Sequence, residues 1–333
     1  MIQPSTISSV LPLRAVEGGR VTITGSGFPV DPPPMVSIGD VAARLAFASS
    51  TRLVTQVPVD LDGGRAPVRV SAVPGETAYV SVGRRWATGL HQVDNPVFDA
   101  LGNLYVTYSG SRGQEAPVSV FRVTPAGARE SFGSGIVNAT SMAIGPDGCL
   151  YVSSRFEGSV YRFDDSGGRE LIASELGVAC GLAFDTQGAL YVGDRSGTIF
   201  LVRDGRTSVF ATLPPSVAAF HLAIDASGTL FVTGPTLDAC DRIYRIDQRG
   251  EVDRLDAVFG RPQGLAVAPD GMLHVVEALA GSSGVYRLAA FDAEPELVVS
   301  GIALIGLAFG PHGEMVVASN DAVYLFAPVA GVA

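Results

Sequence analysis

Residues 181–194 read GLAFDTQGALYVGD, and this stretch decides the fold. Two apolar runs rich in β-forming residues flank a turn at Gly188, which predicts two antiparallel strands joined by a tight turn. Five related stretches occur, at residues 95–106, 141–152, 221–232, 264–275 and 306–317. Their turn glycines stand at positions 102, 148, 188, 228, 271 and 313, so the copies recur every 40 to 46 residues. A near-constant period in this range predicts repeated units that bury their apolar faces against one another.

Each pair of strands is followed by two further strand-like runs, most clearly at residues 198–202 and 208–212. One repeat is therefore predicted to be a four-stranded antiparallel sheet, which is one blade of a propeller. The last copy supplies only three strands before the sequence ends. Residues 85–90 (RWATGL) match the fourth-strand segments of other repeats, such as residues 209–213. We therefore expect residues 85–90 to close the ring beside the C-terminal strands, which protects the edges of the sheet.

Residues 1–83 do not share the repeat. They contain short alternating runs of apolar and polar residues separated by glycine and proline clusters, a pattern typical of a small β-sandwich. The run GGRVTITGSGF at residues 18–28 resembles the IPT/TIG family of immunoglobulin-like domains. This resemblance implies a spacer, an adhesion module or, as in some eukaryotic factors, part of a nucleic-acid binder, and the last role needs basic loops that this sequence lacks. In this protein we expect the sandwich to be a spacer or a second contact surface. The predicted protein is all-β, with an immunoglobulin-like sandwich at residues 1–83 and a six-bladed propeller at residues 84–333.

The repeat stretches resemble the NHL and SMP-30/gluconolactonase-like six-bladed propellers. In the lactonases of this group, the resemblance implies a divalent cation held by Glu, Asn and Asp side chains at the start of the first strands, with an Asp as base. Oxygen ligands of this kind suit calcium, magnesium or manganese, and zinc is a further possibility. A streptogramin-lyase-like activity is another function that propellers of similar repeat pattern have.

Composition narrows the possible partners. The 333 residues carry 23 basic side chains, all of them arginine, against 33 acidic ones, and the net charge is −10. This balance is unsuited to a protein that neutralises phosphate backbones, so we expect no nucleic-acid partner. No apolar run approaches the roughly 20 residues of a membrane span, and no signal peptide precedes Arg14. The sequence as written predicts a cytoplasmic protein; removal of a leader would make it extracellular or cell-surface.

In a propeller blade the first strand begins on the face where the second strand ends, so two sets of loops surround the channel there. We call this face the mouth. The residues that precede the first strands are Asp94, Thr140, Cys180, Phe220, Gln263 and Ile305. Those that follow the second strands are Tyr108, Ser154, Asp194 with Arg195, Gly234, Glu277 and Asn320. The predicted ligand-binding residues from these sets are Asp94, Thr140, Cys180, Phe220, Gln263, Asp194, Arg195 and Glu277.

Four of these residues are candidate metal ligands, namely Asp94, Asp194, Glu277 and Gln263. Each acidic one has an ordinary alternative, because Asp94 precedes Asn95-Pro96 as a turn-capping residue does, and Asp194 and Glu277 suit exposed loops. His221 takes the place of a glycine found in three other copies. Asp94 and His221 are the candidate catalytic groups, although a neutral imidazole bonded to nearby backbone is an alternative for His221.

Two functions follow from these positions. Cys180, Phe220 and Ile305 stand where metal ligands are expected, which favours a non-catalytic recognition or scaffold protein that binds a protein or carbohydrate-like ligand at the mouth. The alternative is a divalent-metal-dependent lactonase that uses Asp94, Asp194, Glu277 and Gln263. A streptogramin-lyase-like enzyme is the third hypothesis.

Thermal unfolding with and without divalent ions separates the first two hypotheses. Protein stripped with chelator is compared with samples given calcium, magnesium, manganese or zinc. An ion that binds only the folded state stabilises it by roughly 2.7 kcal/mol at a hundredfold excess over Kd. A recognition protein predicts no shift in Tm. A shift that disappears in Asp94→Ala or Glu277→Ala would instead support the lactonase.

Overall fold

The computed structural model describes residues 5–289 and 293–328. Its regular elements are all β-strands, which confirms the predicted fold class. The part of the chain that is described contains no helix long and apolar enough to cross a membrane.

The N-terminal sandwich has two sheets. Its strands are β1 (Thr6–Leu11), β2 (Arg14–Ala15), β3 (Arg20–Ser26), β4 (Val36–Ile38), β5 (Val41–Ala43), β6 (Leu45–Ala48), β7 (Arg52–Gln56), β8 (Gly64–Val70) and β9 (Ala78–Val82). One sheet has the order β1-β3-β7-β6 and the other contains β2-β9-β8-β4-β5. Their alternating apolar residues meet in a core that includes Ile23, Leu53 and Val68. Phe28 packs into this core, and Gly25 is required beside it because a Cβ at Gly25 would lie 2.5 Å from the Phe28 ring.

The repeats form six four-stranded antiparallel blades in the described residues. Blade 1 has β11 (Val97–Phe98), β12 (Leu104–Thr107), β13 (Val120–Val123) and β14 (Arg129–Gly133); blade 2 has β15 (Ala139–Ile144), β16 (Leu150–Ser154), β17 (Ser159–Phe163) and β18 (Arg169–Ala173). Blade 3 has β19 (Ala179–Phe184), β20 (Leu190–Asp194), β21 (Thr198–Arg203) and β22 (Arg206–Thr212); blade 4 has β23 (His221–Ile224), β24 (Leu230–Thr233), β25 (Asp241–Ile246) and β26 (Val252–Phe259). Each blade therefore corresponds to one copy of the repeat.

The four strands of blade 5 come from its own repeat, whereas blade 6 takes its fourth strand from outside its repeat. Blade 5 has β27 (Pro262–Val267), β28 (Leu273–Glu277), β29 (Gly284–Leu288) and β30 (Glu296–Ser300), and blade 6 has β31 (Leu304–Phe309), β32 (Met315–Ser319), β33 (Ala322–Phe326) and β10 (Arg84–Thr88). The fourth strand of blade 6 is β10, which lies antiparallel to β33 with Arg84 opposite Leu325 and Thr88 opposite Ala322. It begins one residue before the segment predicted from the sequence and ends two residues earlier.

The first strands of the blades line the centre of the propeller. Each contacts the first strand of the next blade, and β31 of blade 6 contacts β11 of blade 1. Apolar residues from facing blades fill the space between them, as at the junction of blades 6 and 1, where Trp86 packs with Leu104, Val316 and Val323. The Trp86 and Phe98 ring centroids are 6.0 Å apart. Strand β10 therefore joins the two ends of the propeller both by pairing and by packing.

The sandwich is joined to blade 5 by a continuous sheet. Strand β2 lies parallel to β30 on one side, with Arg14 opposite Val299, and parallel to β9 on the other. The Val16 N–H donates to the carbonyl of Ser300, at 2.9 Å. Because β2 pairs on both sides, the backbone of the sandwich and that of blade 5 share one hydrogen-bond network.

Loss of β10 is expected to destabilise the propeller strongly. Deleting residues 84–90 removes the fourth strand of blade 6, and the milder Trp86→Ala is expected to lower the free energy of unfolding by about 3–5 kcal/mol, since it empties a packed site. Denaturant unfolding measures both. Leu101→Ala, at a side chain that is 77% exposed, is the control and should stay within about 0.5 kcal/mol of the wild type. An unchanged midpoint and cooperativity for the deletion would contradict the role assigned to β10.

Candidate ligand site at the channel mouth

The first strands are irregular at the mouth. Register shifts interrupt β15 between Ala139 and Met142, β19 between Ala179 and Leu182, and β27 between Pro262 and Leu265. The predicted residues Thr140, Cys180 and Gln263 lie within these irregular segments. A bulge breaks the alternation of the strand and re-aims the side chains within it, so the mouth is built from residues that a regular strand would present differently.

Asp94 and His221 form a buried pair. The Oδ1 atom of Asp94 lies 2.5 Å from Nδ1 of His221, and the two side chains are only 2% and 1% exposed. Asp94 precedes blade 1 and His221 begins blade 4, so the contact joins opposite sides of a six-bladed ring. The same Oδ1 accepts a hydrogen bond from the Asn95 N–H at 2.7 Å. The two residues predicted separately as candidate catalytic groups are thus brought into direct contact.

The pairing determines what the second imidazole nitrogen can do. An ionised Asp94 accepts a hydrogen bond from Nδ1–H, which leaves Nε2 of the neutral ring with a lone pair. Nε2 is buried and has no hydrogen-bond partner among the residues that the structure describes. A buried nitrogen in this state is uncommon, and such groups often mark places where a bound molecule supplies the missing bond.

Asn95 secures the same segment on the other side. Its Nδ2 donates to the carbonyl of Leu265 in blade 5 at 2.8 Å, and its Oδ1 accepts from the Leu307 N–H in blade 6 at 3.0 Å. Gly264 and Gly306 make room for it, since a Cβ at Gly264 would lie 2.2 Å from Oδ1 of Asn95 and one at Gly306 2.8 Å from its Cα. Asp94 and Asn95 together connect blade 1 to blades 4, 5 and 6 across the channel.

On the other side of this segment, towards the turn face, the channel contains a cavity of about 300 Å³. Met142, Leu182, Leu222, Leu265 and Leu307 contribute to its apolar lining, together with backbone of the first strands. Asn95 stands at its mouth end. The polar mouth and this mainly aliphatic cavity are therefore different environments within one channel.

Cys180 is a poor nucleophile. Burial raises the pKa of its thiol to about 12, and the nearby carboxylate of Asp94 adds to the increase. The thiol is neutral near pH 7 and therefore unreactive by comparison with a thiolate. Its role at the mouth is to pack beside the backbone of Phe220, with which it forms a hydrogen bond.

Asp194 and Glu277 hold loops in place. Asp194 accepts hydrogen bonds from the Val178 and Ser196 N–H groups, at 2.8 and 3.2 Å, and from the Ser196 hydroxyl. Glu277 accepts from three N–H groups, those of Gly260 at 2.6 Å, Arg261 at 2.9 Å and Leu279 at 2.6 Å. In both cases the residue at the end of the second strand fixes the segment that leads into the first strand of its own blade.

Ser154 does the same in blade 2. Its hydroxyl donates to the carbonyl of Val137 at 2.6 Å and accepts from the Glu157 N–H at 3.1 Å. Three blades thus use a different polar residue for one structural task, the anchoring of the mouth loops. For Asp194 and Glu277, the sequence analysis gave such a role in the loops as the alternative to metal binding.

Two of the remaining predicted residues are fully buried, and two retain some exposed surface. Phe220 is fully buried in the core between blades 3 and 4, so it supports the mouth and presents no surface there, contrary to the prediction. Thr140 is also fully buried, and its hydroxyl donates to the Asn138 carbonyl at 2.8 Å. Gln263 remains 9% exposed, and its side-chain amide forms no hydrogen bond within the described residues. Arg195 is exposed.

The structure gives no support to the predicted metal centre. In residues 5–289 and 293–328 there is no group of three or more His, Cys, Asp or Glu side chains that could hold a metal ion. Asp94 is engaged with His221, and Asp194 and Glu277 are engaged with backbone N–H groups. The three carboxylates are thus used in separate contacts.

Arg155 is the mouth residue that the sequence analysis missed. It directly follows β16, as Arg195 directly follows β20, and the aligned stretches YVSSRF and YVGDRS place both arginines at the same offset in the repeat. Burial lowers the pKa of Arg155 below its ordinary value, and the neighbouring Arg195 and Arg112 lower it further, whereas Cys180 opposes this effect. The aligned offset was the available signal for this residue.

Comparison with known proteins supports both parts of the fold. Residues 5–82 match the family model of the IPT/TIG domain. No curated protein matches the sequence. The chain thus contains an IPT/TIG domain at residues 5–82, followed by a propeller whose fold is similar to that of several solved structures.

Among solved structures, a gluconolactonase from Xanthomonas campestris is 14% identical, with a TM-score of 0.57 over 73% of this chain and 89% of that one. An auxiliary nutrient binding protein from Bacteroides ovatus is 14% identical, with a TM-score of 0.54 over 97% and 98% of the two chains. A streptogramin B lyase is 13% identical, with a TM-score of 0.54 over 98% and 94%. At these identities the similarity concerns the fold alone.

Replacing Asp94 tests the buried pair. Asp94→Ala leaves the Nδ1–H of the buried His221 ring without its acceptor, and an unsatisfied buried donor costs about 1–3 kcal/mol of unfolding free energy. Chemical denaturation measures the difference. Asp165→Ala, at an exposed turn residue, is the matched control and is expected to change stability by less than about 0.5 kcal/mol. Equal stabilities of the two variants would contradict the importance of the pair.

Proposed function

We propose that this protein is a non-catalytic recognition protein that binds a carbohydrate-like ligand at the mouth of the propeller channel. The observation that carries the proposal is that the carboxylates of the mouth form hydrogen bonds within the protein, whereas other polar side chains of the mouth form none. The carboxylates that a metal-dependent hydrolase would need are engaged in structural hydrogen bonds. Among the side chains of the mouth that the structure describes, the amide of Gln263 and the guanidinium groups of Arg112, Arg155 and Arg195 form no hydrogen bond to the protein.

These groups suit binding better than hydrolysis. Amide and guanidinium groups are hydrogen-bonding groups that fix the orientation of a polar ligand. Phe156 adds an aromatic face, since it follows Arg155 and is 56% exposed. Its ring packs beside Gly113, where a Cβ would lie 3.0 Å away. An aromatic surface next to hydrogen-bonding groups is the combination that accommodates the apolar face and the hydroxyls of a sugar ring.

Fold similarity does not choose between binding and catalysis, because the structural neighbours include a nutrient binding protein, a gluconolactonase and a lyase. One observation favours an enzyme as the second candidate. The Asp94–His221 pair leaves Nε2 without a partner, and an imidazole oriented by a carboxylate is a common general base. This candidate is an acid–base enzyme of the lyase type.

A glycan array of neutral and acidic oligosaccharides, probed with the full chain, tests the proposal. We expect binding to at least one glycan, reduced about threefold to tenfold in Phe156→Ala because the aromatic surface is removed. Phe47→Ala, at an exposed phenylalanine of the sandwich, is the matched control and should bind as the wild type does.

Absence of binding to every glycan, or full binding by Phe156→Ala, would contradict the proposal. The bound glycan is then incubated with the protein and its mass is measured. An unchanged mass is expected. Conversion to a product of different mass that is lost in His221→Gln would instead establish the acid–base enzyme.

A further inference from the structure

Three arginines gather on one side of the mouth without acidic partners. Arg112 lies in the loop after β12, Arg155 in the turn after β16 and Arg195 in the turn after β20, and Arg112 and Arg195 are close enough to act electrostatically on Arg155. Their guanidinium groups form no hydrogen bond or ion pair in the described part of the chain. Elsewhere, most arginines with a structural role pair with a carboxylate, as Arg162 does with Asp147 at 2.6 Å. The three arginines of the mouth thus form a local group of positive charge in a protein of net charge −10.

Arg155 is the central member of this group. Its side chain is half-buried, whereas those of Arg112 and Arg195 are exposed. Removing a guanidinium from water costs free energy that an anionic partner normally offsets. Asp94 is engaged with His221 and Asp194 with the loop that begins at Val178. Glu157 and Glu115 share loops with Arg155 and Arg112 but form no ion pair with them within the described residues. An anionic ligand would supply the partner that these arginines lack.

The backbone holds these arginines in fixed positions. The Gly158 N–H donates to the Ser154 carbonyl at 2.9 Å, which closes the turn that carries Arg155. The Arg195 N–H donates to the Val178 carbonyl at 3.2 Å, and its own carbonyl accepts from the Ser216 N–H at 3.0 Å. Groups on restrained turns lose less conformational freedom when they bind, so they favour specific recognition.

A second observation points to a ligand at the same place. The Cys180 thiol is within electrostatic range of Asp94, Arg155 and Arg195, so the arginines and the Asp94–His221 pair belong to the same part of the mouth. Nε2 of His221 is buried there without a partner among the described residues. It lies beneath the surface, whereas the guanidinium groups are suited to contact an anion directly.

We infer that the ligand of the mouth is an acidic saccharide, whose anionic group, a carboxylate or a sulfate, pairs with Arg155 and is supported by Arg112 and Arg195. This inference rests on the proposed function and adds the charge of the ligand to it. Arg155 supplies a planar donor pair to the anionic group, and Phe156 lies beside the sugar ring.

The experiment compares each acidic glycan with its neutral counterpart. Uronate oligosaccharides are measured before and after reduction of the carboxyl group, and sulfated ones before and after desulfation, by titration calorimetry. The proteins are the wild type, Arg155→Gln and Arg249→Gln. Arg249 is an exposed arginine in a turn of blade 4 on the opposite face, so it is the matched control. Thermal unfolding confirms that all three are folded.

We expect the wild type to bind one acidic series at least tenfold more tightly than its neutral counterpart, since charge-assisted hydrogen bonds to arginine are among the strongest. Arg155→Gln should lose that preference while its affinity for the neutral form stays the same, and Arg249→Gln should behave as the wild type. The two chemical series distinguish carboxylate from sulfate. This double comparison isolates the contact between Arg155 and the anionic group.

Equal affinity of the wild type for acidic and neutral forms would overturn the inference and leave the proposed function intact. The inference would equally fail if Arg155→Gln kept the preference for the acidic form. If the wild type bound no glycan of either kind, the proposed function would fail together with the inference.

Discussion

The hydrogen bond between Asp94 and His221 is the contact on which the centre of the propeller depends. It joins residues 127 positions apart on opposite blades, and Asn95 extends the same connection to blades 5 and 6. A propeller encloses a channel along its axis, and here a short polar segment crosses it. The cost of burying these polar groups is offset because Asp94, Nδ1 of His221 and the Asn95 amide find partners; Nε2 is left over. The segment therefore forms the floor of the mouth and separates it from the aliphatic cavity on the other side.

The loops that surround this floor are held in three blades by hydrogen bonds from a polar residue at the end of the second strand. Ser154, Asp194 and Glu277 occupy corresponding places at the ends of second strands, and each fixes backbone of its own blade. Polar residues at a propeller mouth are candidates for catalysis. These three residues instead form hydrogen bonds with backbone N–H and C=O groups. The result is a rigid rim on which Arg155 and Arg195 are carried. Restraint of this kind positions the arginine side chains before any ligand binds.

The sandwich contributes to the same rigidity from outside. Strand β2 continues the sheet of blade 5 into the sandwich, and the Tyr324 hydroxyl donates to Glu17 at 2.6 Å from blade 6. Arg85 of β10 also pairs with Glu17. Glu17 thus connects the sandwich to the strand that completes blade 6. A short tether alone would leave the sandwich free to move, whereas a shared sheet and a buried junction fix its orientation.

The sequence predicted the architecture because the repeat is local: turn glycines and alternating strands act within about forty residues. It predicted the fourth strand of blade 6 by the similarity of residues 85–90 to other fourth strands. It did not predict that Asp94 meets His221, because that contact exists only once the ring is formed. Phe220 was placed at the mouth by its position before β23, but packing between blades 3 and 4 buries it. The repeat places Arg155 at the same offset as Arg195, but the sequence could not show that both lack an acidic partner, because ion pairs depend on three-dimensional structure.

The tautomer of His221 tests the account most directly. Nitrogen NMR of protein labelled at its four histidines reports which ring nitrogen of each carries the proton. The account predicts that His221 is protonated at Nδ1, towards Asp94, and bare at Nε2, and that Asp94→Ala abolishes this fixed state. A His221 ring protonated at Nε2, or an equal mixture of the two tautomers in the wild type, would contradict the account of how the floor of the mouth is built.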